Sequence, residues 1–254
     1  MAHLVRFAVL CVALASIGCS AYEGYAGQAA DSADTMVQEA MFVAAAMDMM
    51  TPATAPDDAA QAAADAAGNF FRDGCFTATA DGPAVTYRLV DCSGPFGVEG
   101  IDGTVTTTYR SLEPTGVGFD IVASGLSIEG HEASFTIAAE VAGDTRSSLV
   151  ATSAEMVGPR GTALTREGSY RMRWGVGTQC AGFDGTYTTA VDGITWDTTV
   201  TEYSVCGDAC PGSTGSVEIT SGRGTITLTF DGSARAAWDA GSNGAGTLVL
   251  ACSG

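Results

Sequence analysis

The sequence predicts a mainly β protein: an antiparallel sandwich or open barrel built from repeated hairpins, with an N-terminal α-helical hairpin packed on it. Three observations predict it. From Asp73 onward, apolar and polar residues alternate with a period of two. Asp-Gly pairs at 73–74, 81–82, 102–103, 184–185, 192–193 and 231–232 punctuate the same region, and Asp-Gly accepts the positive φ angles of tight hairpin turns. Before Asp73 the chain is rich in alanine and methionine at helical spacing.

The helical segment is expected over residues 32–72. Met36, Ala40, Val43, Met47 and Met50 form one apolar stripe over 32–50. Ser32 or Asp34 suits its cap, and Thr51-Pro52 stops it. A stripe of this kind packs on a core more often than it serves as an adaptable binding face. A second helix fits 56–67, with Pro56 in its first turn, Asp57 and Asp58 at its positive end, and Gly68 at the place of a left-handed cap. The short link between them predicts a hairpin, and Phe70-Phe71 would fasten it to the first strand.

In the β region, residues 73–254, Ala133, Phe135, Ile137, Ala139 and Val141 share one face of a strand. Tyr170, Met172 and Trp174 share another, opposite Arg171 and Arg173, and Ile226, Leu228 and Phe230 alternate with threonines. Tyr87 precedes Asp102-Gly103 much as Tyr170 precedes Asp184-Gly185 and Val217 precedes Asp231-Gly232. These intervals suggest duplicated hairpins. A small propeller is the alternative topology, and convergent turn chemistry explains the same intervals without duplication.

Residues 1–18 read as an export signal: Arg6, then an apolar run too short to span a bilayer. Leu14-Ala15-Ser16-Ile17-Gly18-Cys19 resembles a bacterial lipobox, departing from it at Ser16, where leucine is usual. The resemblance implies lipidation of Cys19, a tether over 19–31 and a cell-envelope location; plain secretion is the alternative. In texture, residues 73–254 resemble uncharacterised Gly/Thr-rich bacterial envelope lipoproteins, a resemblance that carries no activity.

With Cys19 acylated, Cys75, Cys92, Cys180, Cys206, Cys210 and Cys252 remain, an even set suited to three disulfides. The expected pairs are Cys75–Cys92, across the Asp81-Gly82 hairpin, and Cys206–Cys210, closing a small loop, which leaves Cys180–Cys252. Zinc is the other reading of the Cys206/Cys210 spacing, but export favours oxidation.

The net charge is −18, and loss of Arg6 with the signal leaves 10 arginines against 29 acids, or −19. That excludes nucleic acid as a partner, since phosphates require basic surface. An anionic membrane also repels such a chain, so the membrane partnership runs through lipid on Cys19. All 11 basic residues are arginine, which excludes phosphate loops, Schiff-base chemistry and Ser-Lys hydrolysis. His131 is the single histidine left after export, and it reads as a turn residue. No catalytic residue, metal ligand or cofactor is assigned. Arg160, Arg166, Arg171 and Arg173 cluster within 14 positions. On one strand face they would bind an anion or acidic glycan; paired across strands with carboxylates they would be structural. Asp102, Asp184 and Asp231 recur at equivalent places, as turn residues or as a repeated calcium contact.

Together these readings lead to an envelope lipoprotein with a structural or interaction role, partnered by an envelope protein or glycan. The alternatives are a β-barrel carrier of an apolar ligand, closed by the helices, and a glycan hydrolase using two inward carboxylates about 5–10 Å apart.

Overall fold

The computed structural model describes residues 21–49, 55–72, 74–94, 98–112, 116–141, 147–158, 161–175, 180–207, 209–250 and 252. Cys19, Met50 and Arg160 lie outside them. Thirteen antiparallel strands form one unclosed sheet in which every strand pairs with its sequence neighbours. They are β1 (Phe76–Asp81), β2 (Ala84–Cys92), β3 (Ile101–Leu112), β4 (Gly116–Ile128), β5 (His131–Val141), β6 (Ser147–Val157), β7 (Ala163–Gly175), β8 (Cys180–Val191), β9 (Ile194–Cys206), β10 (Ser216–Ser221), β11 (Gly224–Phe230), β12 (Arg235–Asp239) and β13 (Ala245–Val249). Of the topologies considered from sequence, this is the open one; the strands divide into neither two sheets nor blades.

Strict alternation builds the ladder. Along β6 every second residue, from Ser148 to Met156, is buried while its neighbours face water. Outward positions on β7 are Thr165, Glu167, Ser169, Arg171 and Arg173, all exposed. A strand facing lipid needs apolar residues there. Among the described residues no helix is long and apolar enough to cross a membrane.

Asp73 lies outside the described residues, and two of the described Asp-Gly pairs do not make turns. Asp192-Gly193 is the tight turn between β8 and β9, with φ of 49° and 75°. Asp102-Gly103 and Asp184-Gly185 instead lie inside β3 and β8. Asp102 Oδ1 accepts the backbone N–H of Asp91 at 2.9 Å, and Asp184 Oδ1 accepts that of Glu202 at 2.7 Å. Asp91 and Glu202 have φ of 51° and 49°, at breaks in the register of the neighbouring strand. Each aspartate therefore satisfies a bulge donor that the ladder leaves unpaired.

The helices fill the concave face. Helix α1 (Ala21–Met49) touches β4, β5, β7, β8, β10, β11 and β13, while α2 (Pro56–Ala66) touches β1, β2 and β3. Met36, Ala40 and Val43 of the expected stripe are wholly buried. The remaining faces are buried too, through Thr35, Val37, Glu39, Met41, Phe42 and Ala44. Helix α1 also begins eleven residues before Ser32, so the expected tether over 19–31 is in large part core: Ala26, Ala29, Ala30 and Asp31 are at most 2% exposed. Gly24 and Gly27 weaken this stretch as an isolated helix by about 1 kcal/mol each, and enclosure by the sheet offsets that cost. After α2 comes a single 3-10 turn, Ala67–Asn69; Gly68 sits within it, and the residue ending α2, Ala67, keeps right-handed helical angles. Beyond it Phe71 packs on Phe76 and Tyr87, and Phe70 on Trp174.

Helix α1 runs across the strands. Tyr25 meets Trp196 of β9, Ser32 meets Thr189 of β8, Thr35 meets Arg166 of β7, Glu39 meets Thr152 of β6 and Phe42 meets Phe135 of β5. The span from Tyr25 to Phe42 is about 25 Å of helix, against about 19 Å for four strand spacings, so the crossing is oblique on a curved sheet. The contacts at Trp196, Thr189 and Arg166 lie toward one rim, which carries the turns at 129–130, 192–193 and 222–223, while Thr152 and Phe135 lie near the middle of their strands. The helix comes close to the sheet there: a Cβ on Gly158 would stand 2.6 Å from Asp31 Cβ. Toward the opposite rim the interior is aromatic, with Tyr170, Phe183, Tyr203 and Phe230 in edge or tilted contact in series.

The disulfides are Cys75–Cys92, Cys180–Cys206 and Cys210–Cys252. The first is the expected pair; the other two correct the expected Cys206–Cys210 and Cys180–Cys252. Cys180 and Cys206 are direct register partners at the ends of β8 and β9, which leaves Cys210 to tie the β9–β10 loop to the end of the last hairpin. Three disulfides indicate an oxidising, exported environment.

Candidate functional site

Among the described residues a buried charged pair joins α1 to the sheet. Arg166 Nη2 lies 2.7 Å from Glu39 Oε1, with both side chains fully enclosed. Arg166 Nη1 donates to the carbonyl of Ser32 at 2.7 Å and to Thr35 Oγ1 at 3.0 Å. Thr152 donates to Glu39 Oε2 at 3.0 Å. Ser32 Oγ lies 3.0 Å from Thr189 Oγ1 and donates weakly to the Tyr187 hydroxyl at 3.5 Å. The guanidinium also stands over the Tyr187 ring, 5.2 Å from its centroid.

The elements explain this cluster. Ser32, Thr35 and Glu39 fall at i, i+3 and i+7, which places them on one side of α1. Arg166 shares the inward parity of Leu164, Tyr170 and Met172 on β7. Burial works against the Arg166 charge; the Glu39 carboxylate more than restores it, so the guanidinium is held above its ordinary pKa. Burial raises the Tyr187 hydroxyl and drives that of Tyr170 well above its usual value. Satisfaction is incomplete: Arg166 Nε and the Tyr170 hydroxyl are buried without a hydrogen-bond partner. Enclosed on every side, these groups fix one register of α1 against β6, β7 and β8, because any slip would strand a buried charge.

Of the four arginines grouped in sequence, Arg160 lies outside the described residues and the other three divide between the two faces of β7. Arg166 points inward, whereas Arg171 and Arg173 are on the outer face. Arg173 pairs with Asp184 on β8, the cross-strand role. Asp231 accepts the Ser233 backbone N–H within its own loop at 2.9 Å. His131 is half-buried, pairs with Ile128 across the Glu129-Gly130 turn, and lies outside the Arg166 cluster. No group of His, Cys, Asp or Glu with metal-binding geometry occurs among the described residues.

Two surface depressions adjoin the rim that α1 approaches. One is bounded by Arg72, Asp91, Ser93, Glu99 and Glu129. The other mixes Glu132, Glu155 and Asp192 with the apolar Met156, Val157 and Leu164. Both are open to solvent, and neither is lined by Glu39 or Arg166.

No protein-family model, curated protein or solved structure matches this chain. Sequence reading missed Glu39, Ser32, Thr35, Thr152, Tyr187 and Thr189. The signal for Arg166 was present in its even-numbered parity with Tyr170 and Met172. The signal for Glu39 was a polar side of α1 that resembled an ordinary solvated face.

Proposed function

We propose that this chain is an envelope lipoprotein, anchored by acyl chains on Cys19, with a structural or interaction role rather than a catalytic one. The observation that carries the reading is the enclosure of α1. The sheet's concave face, where a barrel carrier would hold its ligand, is occupied by a helix of this chain, locked by Glu39 and Arg166. Export is supported by the three disulfides. What the molecule presents to partners is the polar outer face of a long sheet, whose hydroxyls, carboxylates and arginines suit an envelope protein or a glycan.

Intact mass of protein extracted from membranes tests the anchor. It should show a diacylglycerol-type adduct on a chain beginning at Cys19, and Cys19→Ser should release the protein from the membrane fraction. A Cys19→Ser protein that stays membrane-bound would contradict the proposal.

A further inference from the structure

We infer that the anchored molecule sits directly on the bilayer, with the rim carrying the β8–β9 and β10–β11 turns and the β12–β13 connection against the lipid headgroups and the opposite rim pointing away. This rests on acylation of Cys19 and deepens that reading by naming the membrane-facing surface.

Covalent reach sets the distance between the acylated residue and the fold. Helix α1 begins at Ala21, separated from Cys19 by Ser20 alone. Gly24 is exposed, Tyr25 is half-buried and Ala26 is wholly buried, so the chain enters the fold four to five residues into the helix. Tyr25 is held there from two sides. Its ring is 5.1 Å from that of Trp196 on β9, and the Arg223 guanidinium of the β10–β11 turn lies 5.2 Å from its centroid. Two extended steps from Cys19 to Ala21 span at most about 7 Å, and four helical residues rise about 6 Å. Tyr25, and with it the 222–223 turn, therefore stays within about 13 Å of the acylated residue. The headgroup layer of one leaflet is itself about 5–8 Å thick, which leaves no room for a free spacer. The far rim is a strand-length away: the seven residues of β11 separate Arg223 from Asp231 by eight steps, about 26 Å.

The chemistry of the rim adds a lipid preference. Asp192 in the β8–β9 turn and Asp239 at the end of β12 are exposed at this end and outnumber the exposed Arg223 of the β10–β11 turn. Close to the bilayer their carboxylates repel anionic headgroups. The rim therefore tolerates zwitterionic lipid and is held there by the anchor, not by its own charge.

Carboxylate labelling with a water-soluble carbodiimide and an amine tests this on the full chain. Acylated protein in phosphatidylcholine vesicles is compared with Cys19→Ser protein mixed with the same vesicles. Labelling of Asp192 and Asp239 should fall several-fold in the anchored protein, while Asp81 and Asp231, exposed at the opposite rim, should label equally in both. An acyl adduct by mass with equal labelling at both rims, or with protection at Asp81 and Asp231, would overturn the orientation and leave the anchor standing. Absence of the adduct would overturn both.

Discussion

At the scale of single residues, the Glu39–Arg166 pair is the feature with the largest energetic leverage. Two charges removed from water are costly, and their attraction offsets that cost only while both are present. Replacing one partner, as in Glu39→Gln or Arg166→Met, leaves the other exposed to the full penalty. Each should lower stability by about 3–5 kcal/mol, measured as a shift of the denaturant midpoint at unchanged slope. The double variant Glu39→Met/Arg166→Met should recover most of the loss, because Arg166 Nε already lacks a partner and apolar packing is often neutral or better. Additive losses in that cycle would show that the two residues do not act on each other. Parity along β7 made the inward direction of Arg166 legible. Its partner was not, since a polar side of a helix looks the same in sequence whether it meets water or a second polar surface.

At the scale of elements, legibility followed how local the cause was. The period-two strands and the Asp192-Gly193 turn were readable because alternation and turn chemistry act within a few residues. The Cys180–Cys206 bond was readable in principle: the two cysteines stand twelve residues before Asp192 and thirteen after Gly193, offset by a single bulge. The start of α1 was not readable, because Gly24 and Gly27 argue against a helix and only the enclosing sheet outweighs them. The aromatic layer built by β2, β3, β7, β8 and β9 yields a prediction about pH. Burial raises the hydroxyls of Tyr87, Tyr109, Tyr170, Tyr187 and Tyr203 above their ordinary value. A raised folded-state pKa means that the folded protein holds protons the unfolded chain releases. Stability from this source is complete below about pH 10, the unfolded value, and is lost as pH rises beyond it. Tyrosinate absorbance should thus appear for these five only together with loss of the fold's circular dichroism. Five independent titrations near pH 10 with the fold intact would contradict their burial.

At the scale of the whole molecule, a sheet of sequential hairpins has no long-range strand pairing to close it, and its two ends, β1 and β13, remain edges. Cohesion across the concave face comes from α1, whose contacts run from β4 to β13, and from α2 beneath β1 to β3. Full burial of a Met, Phe or Val side chain contributes about 1.5–3 kcal/mol, and α1 supplies Met36, Met41, Phe42 and Val43, each at most 4% exposed. The helix that sequence alone described as a stripe laid on a sheet is the core around which the sheet curves, and the same helix carries the chain from Cys19 into the fold. Native-state amide hydrogen exchange on the full chain tests this most directly. Amides of α1 between Asp31 and Ala46 should exchange only through global unfolding, as slowly as those of β5 to β8. Exchange of these α1 amides orders of magnitude faster than the strands would show a helix that opens on its own, and would contradict its place as the centre of the fold.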